Sequence, residues 1–303
     1  MDAGRRDLRR LAGRVGRVAR VARLMPEAPQ MQALAERVGE WLVGATFEGY
    51  EPLGFTGLKT VEPPPEALVG AALVEVGRRA KYVTLHFDSG LRVMFHLSQA
   101  GRLDFEEPPK RTRPKGAVVR WRFSGDRAVL LREFGTERKA GWWVLAPGDA
   151  GPVDKVGPEA TSAAFAEWFR SSDDGRRIHT ILRDQRTVAG VGRGYADDIL
   201  HRAHLSPYAS LKSLKADERE RLLAALQEVL AEGLARERSR TGGLSANKLG
   251  EHFTVHGKAG LPCPECGSDL RRVSYESHEV VYCPTCQTGG KVLADRRLSR
   301  LVK

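Results

Sequence analysis

The sequence predicts an α+β chain, and three observations predict it. Apolar residues alternate along short runs between 71 and 145, they recur every three or four residues from about 160 to 236, and all four cysteines fall between 263 and 286. At 303 residues the chain is long enough for more than one core, and 41% hydrophobic content suits a globular protein. No run approaches the ~18 apolar residues of a membrane span. The formal charge of +11 points to a polyanionic partner, but its distribution matters more than its size. Residues 1 to 24 carry +6 and residues 288 to 303 carry +4, leaving +1 on the body between them.

Taken in order, residues 1 to 24 hold eight Arg among Ala, Gly, Val and Leu. Two readings fit. Leu8, Leu11, Val15 and Val18 have the spacing of a basic helical arm, whereas the composition is that of translated GC-rich DNA upstream of a gene, with Met25 as the initiator. We favour the second, with removal of Met25 exposing Pro26. The stretch "MPEAPQMQALAERVGEWL" then opens a helix on Pro26 and Glu27, with Leu34, Val38, Trp41 and Leu42 on its apolar side. Strands follow: "KYVTLHF" and "LRVMFHL" about an Asp88-Ser89-Gly90 turn, then "AVVRWRF" and "AVLLREF" about Ser124-Gly125-Asp126. Val83, Leu85, Phe87, Leu91, Val93 and Phe95 mark a buried face. "EPPPE" (62 to 66) and the basic "EEPPKRTRPKG" (106 to 116) are surface loops, the second able to approach a phosphate backbone.

In the helical region, Leu222, Leu226, Val229 and Leu230 form one stripe. "VAGVGRGYADDILHRAHLSPY" (188 to 208) sets a glycine-rich turn before a helix. Amides freed by small residues at a helix N-terminus can seat a phosphate, with Arg193 adding charge; a plain packing turn is the alternative. No strand precedes it, which excludes a dinucleotide-binding loop. The cysteines form two Cys-x-x-Cys pairs, Cys263/Cys266 and Cys283/Cys286, with sixteen residues between the pairs. That is the spacing of a closed four-thiolate zinc site, one structural Zn²⁺ per chain; two disulfides or a redox pair would use the same residues.

The segments "MPE", "RRAKYVTLHF", "HLSQAG", "LREFG", "GVGRGYADD" and "CPTCQ" occur in the order found in the Fpg/Nei family of bifunctional DNA glycosylases, which the chain resembles over residues 25 to 287. The resemblance implies an N-terminal β-sandwich with flanking helices (25–155), a helix–two-turn–helix domain (156–250), a zinc-binding β-hairpin (251–288), and a basic tail (289–303) behind the extension 1–24. It implies base excision from damaged double-stranded DNA and cleavage of the abasic site through a Schiff base on an N-terminal proline, here Pro26. Glu27 would be the acid/base group, Lys81 the pocket cation near the lesion phosphate, and Arg132 and Phe134 the pair that fills the gap left by a flipped nucleotide. From the residues alone, Glu27 is a first-turn helix acid, Lys81 a strand-edge cation and Phe134 a core ring. Three DNA-binding positions depart from the family pattern: Gln99 for an intercalating Met, Arg193 for a phosphate-binding Asn, and His278 for a phosphate-binding Arg. Residues 242 to 256 are shorter than the loop that caps 8-oxoguanine in some members, so no lesion preference is carried over. A catalytically silent DNA-binding paralogue is the alternative function. The expected setting is a bacterial cytoplasm, associated with the nucleoid, as a monomer.

Overall fold

The computed structural model describes residues 25–99, 101–135, 139–240, 252–275 and 278–294. The helix expected after Pro26 is α1 (Ala28–Leu42), and it buries Met31, Leu34, Ala35, Val38 and Leu42. Eight strands follow among the described residues: β1 (Phe47–Pro52), β2 (Leu73–Arg79), β3 (Tyr82–Phe87), β4 (Arg92–His96), β5 (Gly101–Glu106), β6 (Ala117–Phe123), β7 (Arg127–Glu133) and β8 (Gly141–Leu145). They make two antiparallel four-stranded sheets, in the orders β1-β6-β7-β5 and β2-β3-β4-β8.

Period-two alternation turns one face of each sheet inward, and the two inner faces share one core. Val83, Leu85, Phe87, Val93 and Phe95 are buried as the sequence predicts, against Phe47, Trp121, Phe123, Val129 and Leu131 of the other sheet; Leu91 is half-buried at the edge. Aromatic contacts tie the layers, Phe95 to Trp121 at 5.5 Å and Phe47 to Phe87 at 5.8 Å between ring centroids. The family resemblance implied this sandwich, and α1 closes one end of it.

A second core is helical: α2 (Ala163–Ser171), α3 (Ile178–Arg183), α4 (Arg193–Arg202) and α5 (Ala216–Ser239). The predicted stripe of Leu222, Leu226, Val229 and Leu230 is buried within it. A turn at 185–187 and the glycine-rich bend after it join α3 to α4. Beyond it, β9 (Arg271–Tyr275) and β10 (His278–Tyr282) pair as the expected hairpin, followed by the short α6 (Pro284–Thr288). The basic extension 1–24, most of the segment 242–256 and the end of the basic tail lie outside the described residues. Among the described residues no helix is long and apolar enough to cross a membrane.

Two features join the halves. Glu159, on the strand-like segment entering the helical half, accepts Arg78 Nη1 at 2.8 Å, Arg79 Nη1 at 2.7 Å and the Ala80 amide at 2.7 Å. The turn between β2 and β3 is thereby fixed, and Lys81 stands in it. On the other side, Arg238 of α5 meets Glu36 of α1 at 2.7 Å.

The outer face of the first sheet is held by Arg120, 1% exposed, which lies opposite Glu51 of β1 in register. Its guanidinium binds Glu51, Glu106 at 2.8 Å across β7, and the Thr112 carbonyl at 2.9 Å, so the Pro-rich loop is pinned over the strands. Arg120→Met leaves the Glu106 carboxylate buried without its cation and should destabilise the fold by about 3–5 kcal/mol. Adding Glu106→Leu should recover most of that loss in chemical denaturation. Equal losses in the single and double variants would show that the ion pair does not carry the effect.

Candidate functional site

Glu27 caps α1. Its backbone amide donates to Gln30 Oε1 at 3.0 Å, which fixes the entry of the chain into the helix. Its side chain, 2% exposed, leaves α1 and crosses to the glycine-rich turn before α4. There Oε1 accepts the Gly194 amide at 2.9 Å and Oε2 the Gly192 amide, while the Ala28 amide donates to the Gly190 carbonyl at 2.9 Å. The carboxylate therefore sits between two helix N-termini, each presenting unsatisfied amides and a partial positive charge. The sequence leaves this turn as a phosphate seat or a packing turn; in the structure the amides of Gly192 and Gly194 are engaged by Glu27, and glycine at 192 leaves room for its carboxylate.

Electrostatics at this point are tightly balanced. Burial raises the pKa of Glu27, opposed by the charge of Lys81 and by the two glycine amides. Burial lowers that of Lys81, 8% exposed; Glu27 opposes the shift, and Arg183 and Arg193 reinforce it. His96 is pushed down to about 4 by burial and by Lys81, so it is neutral at physiological pH. Pro26 is buried immediately before Glu27. Pro26, Glu27 and Lys81 thus come together, with Arg193 exposed on the first turn of α4 beside them.

The other sequence-predicted residues lie elsewhere. Arg132 belongs to β7, in the opposite sheet from Lys81, and its guanidinium is engaged by Asp104 at 2.8 Å and by the Lys115 carbonyl. Phe134 follows at the end of β7, half-buried, with Arg132 4.5 Å and Arg102 4.7 Å from its ring centroid. Gln99 is exposed two residues before Gly101, which pairs with Glu133, so Gln99 and Phe134 share one end of the β5–β7 ladder. His278 opens β10 opposite Tyr275; its side chain is outside the described residues.

Several residues that hold the site have no role assigned to them in the sequence reading. Gln30 donates to Tyr195 Oη at 3.0 Å, linking α1 to α4. Buried Asp197 accepts the Val281 amide of β10 at 3.1 Å and lies 2.6 Å from His256 Nδ1, while Asp198 accepts the amides of Thr254, Val255 and His256. Adjacent acids in "YADD" on a buried helix are the signal that could have marked them, since paired carboxylates inside a core need several donors.

The sulfurs of Cys263, Cys266, Cys283 and Cys286 lie within 4.8 Å of one another, with Cys266 to Cys283 at 3.4 Å and Cys263 to Cys286 at 3.9 Å. A tetrahedral ion with metal–sulfur bonds near 2.3 Å needs edges of about 3.8 Å, so the four thiols fit one metal ion.

Residues 25–143 match the family model described as the formamidopyrimidine-DNA glycosylase N-terminal domain, and residues 154–243 match the formamidopyrimidine-DNA glycosylase H2TH domain. The chain is 31% identical over 283 residues to the formamidopyrimidine-DNA glycosylase of Thermus thermophilus, covering 88% of this chain and all of that one. An uncharacterized formamidopyrimidine-DNA glycosylase-like protein of Mycobacterium tuberculosis is 42% identical over 127 residues, 42% of this chain and 80% of its own. Among solved structures, the MutM (Fpg) protein of Thermus thermophilus superposes with a TM-score of 0.73 at 28% identity, over 88% of this chain and 100% of that one. The Fpg of Lactococcus lactis, bound non-covalently to DNA containing an AP site, superposes with a TM-score of 0.73 at 22% identity, over 86% and 99%, a likeness of fold.

A Cβ added at Gly192 would lie 2.5 Å from Glu27 Cδ and 2.6 Å from Oε1, although the backbone there (φ −128°) suits alanine. Gly192→Ala should therefore cost about 1–3 kcal/mol through overpacking. In a Glu27→Ala background the penalty should largely vanish, as a double-mutant cycle in thermal denaturation reads directly. A penalty unchanged by removing Glu27 would show that the carboxylate is not what fills the space.

Proposed function

Because the chain belongs to the formamidopyrimidine-DNA glycosylase family, we propose that it is a base-excision-repair DNA glycosylase that also cleaves the abasic site it creates, acting on damaged double-stranded DNA. The observation that carries this reading is the Glu27 carboxylate, buried directly after Pro26, braced by two helix N-termini and within reach of the Lys81 charge.

A damaged base within a duplex cannot be reached, so the nucleotide is flipped out of the stack toward Pro26 and Glu27. The Pro26 nitrogen, as a free secondary amine, attacks C1′; the N-glycosidic bond breaks, the base departs, and the sugar opens to an iminium that permits strand cleavage by elimination. Glu27 protonates the sugar ring oxygen, and a pKa raised by burial suits it to carry that proton. The partial positive charge at the start of α1 and the neighbouring Lys81 favour the unprotonated amine at neutral pH. Lys81 and Arg193 meet the phosphates flanking the flipped nucleotide. Phe134 and Gln99 wedge the vacated stack, with Arg132 bracing the Phe134 ring, and His278 adds a contact from the hairpin. Cys263, Cys266, Cys283 and Cys286 hold one Zn²⁺, whose role is to fix the hairpin; four thiolates leave no open position on the metal.

The reading requires Pro26 to be N-terminal, since in an X-Pro peptide bond its nitrogen is an amide. The family match itself begins at residue 25. A chain beginning at Met25 and processed to Pro26 should form a covalent adduct with abasic-site DNA on borohydride reduction, which freezes the iminium. The chain beginning at Met1 should trap little or none, even where its added arginines tighten binding at low salt. Glu27→Gln in the shorter chain should lower excision of a damaged base by about 10²–10⁴ while leaving some trapping at a preformed abasic site. If the Met1 chain, shown intact by mass, traps equally well, Pro26 is not the nucleophile and a lysine such as Lys81 takes its place.

A further inference from the structure

The last turn of α4 carries a histidine that the mechanism does not use. His201 is 1% exposed, and its Nε2 lies 3.2 Å from Cys263 Sγ. Its Nδ1 faces Glu265 Oε1 at 3.6 Å, and Glu265 in turn is held by His204 Nε2 at 2.7 Å. We infer that His201 is a positioning residue of the metal centre, donating its Nε2–H to the Cys263 sulfur from the side of α4. The inference rests on the reading above that the four thiols bind Zn²⁺.

Four thiolates around one dication would leave two net negative charges on sulfur, and at Cys263 and Cys283, the two buried members, N–H donors must take the place of water. Part of the donation is local: the Cys286 amide reaches Cys283 Sγ at 3.4 Å within the second Cys-x-x-Cys turn. Cys263 is 3% exposed, and its donor comes from a residue 62 positions earlier in the sequence. Such outer hydrogen bonds orient a ligand and lower its charge density, and their loss commonly costs 10–100-fold in metal affinity. Gln287 strengthens the same junction by donating to the Leu205 carbonyl at 2.8 Å. The metal unit thus docks on the end of α4 opposite to the one that grips Glu27. His201, Glu265 and Cys286 also place one ligand atom each within 4.8 Å, so a directly ligating histidine is the competing arrangement.

The test compares the full chain with His201→Phe, which keeps a ring but removes the donor, and His201→Gln, whose amide nitrogen extends about as far as Nε2. Each is prepared with Zn²⁺ for release to a chromogenic chelator and with Co²⁺ for absorption spectroscopy, with folding verified by circular dichroism. All three should bind one metal per chain. The Phe variant should release zinc about tenfold faster, and its thiolate-to-cobalt charge-transfer band should move to lower energy at unchanged intensity per cobalt. The Gln variant should restore both. A Phe variant identical to the native chain in release rate and band position overturns the inference, as does a Gln variant that restores neither, which would leave packing as the cause. A changed ligand-field pattern in both variants would make His201 a ligand and overturn it too. Absence of stoichiometric metal in the native chain would instead overturn the zinc reading.

Discussion

The Glu27 carboxylate between two helix N-termini is the contact on which the site depends. One helix supplies the residue and caps itself through Gln30; the other supplies the amides of Gly192 and Gly194. A buried carboxylate is costly unless donors surround it, and here the donors come from the half of the molecule that does not carry the acid. The sandwich and the helical core are therefore joined through the same group that the proposed chemistry uses. Glu159 makes the second joint and orders the turn bearing Lys81, so the cation and the acid are set by two independent clamps.

Helix α4 serves both ends of this arrangement. Its first turn grips Glu27, its middle buries Asp197 and Asp198 against the hairpin strand and residues 254–256, and its last turn meets the thiol cluster. Asp197 is kept anionic by its two histidine neighbours against the effect of burial, while burial raises Asp198 to about 6 despite its three amide donors. Adjacent carboxylates with different environments hold the hairpin and its preceding loop to one rigid element.

Much of this was legible in the sequence because it depends on local periodicity. Alternation at 83, 85 and 87 and at 93 and 95, the stripe at 222, 226, 229 and 230, and the Cys-x-x-Cys spacing each arise from the geometry of one element. The glycine-rich turn was visible as a cluster of free amides, but their acceptor was not, since Glu27 lies 165 residues from Gly192. The sequence does not show that Arg132 pairs with Asp104, a partner defined only by the β5–β7 register. Gln30 is the cap partner of Glu27 and a donor to Tyr195, a second link from α1 to α4 that has no sequence signal. Side-chain pairings across elements have no period, and the sequence therefore does not display them.

The joint itself can be probed by hydrogen exchange at single amides. Each amide–carboxylate bond is worth about 1.5–3 kcal/mol, or roughly 10–100-fold in protection. With Glu27 replaced by Ala, the Gly192 and Gly194 amides should exchange faster by that factor. The Ala196 amide, bonded within the helix to the Gly192 carbonyl at 3.1 Å, should keep its protection. Unchanged exchange at Gly192 and Gly194 in the Glu27→Ala protein would contradict the placement of this carboxylate as the link between the two halves.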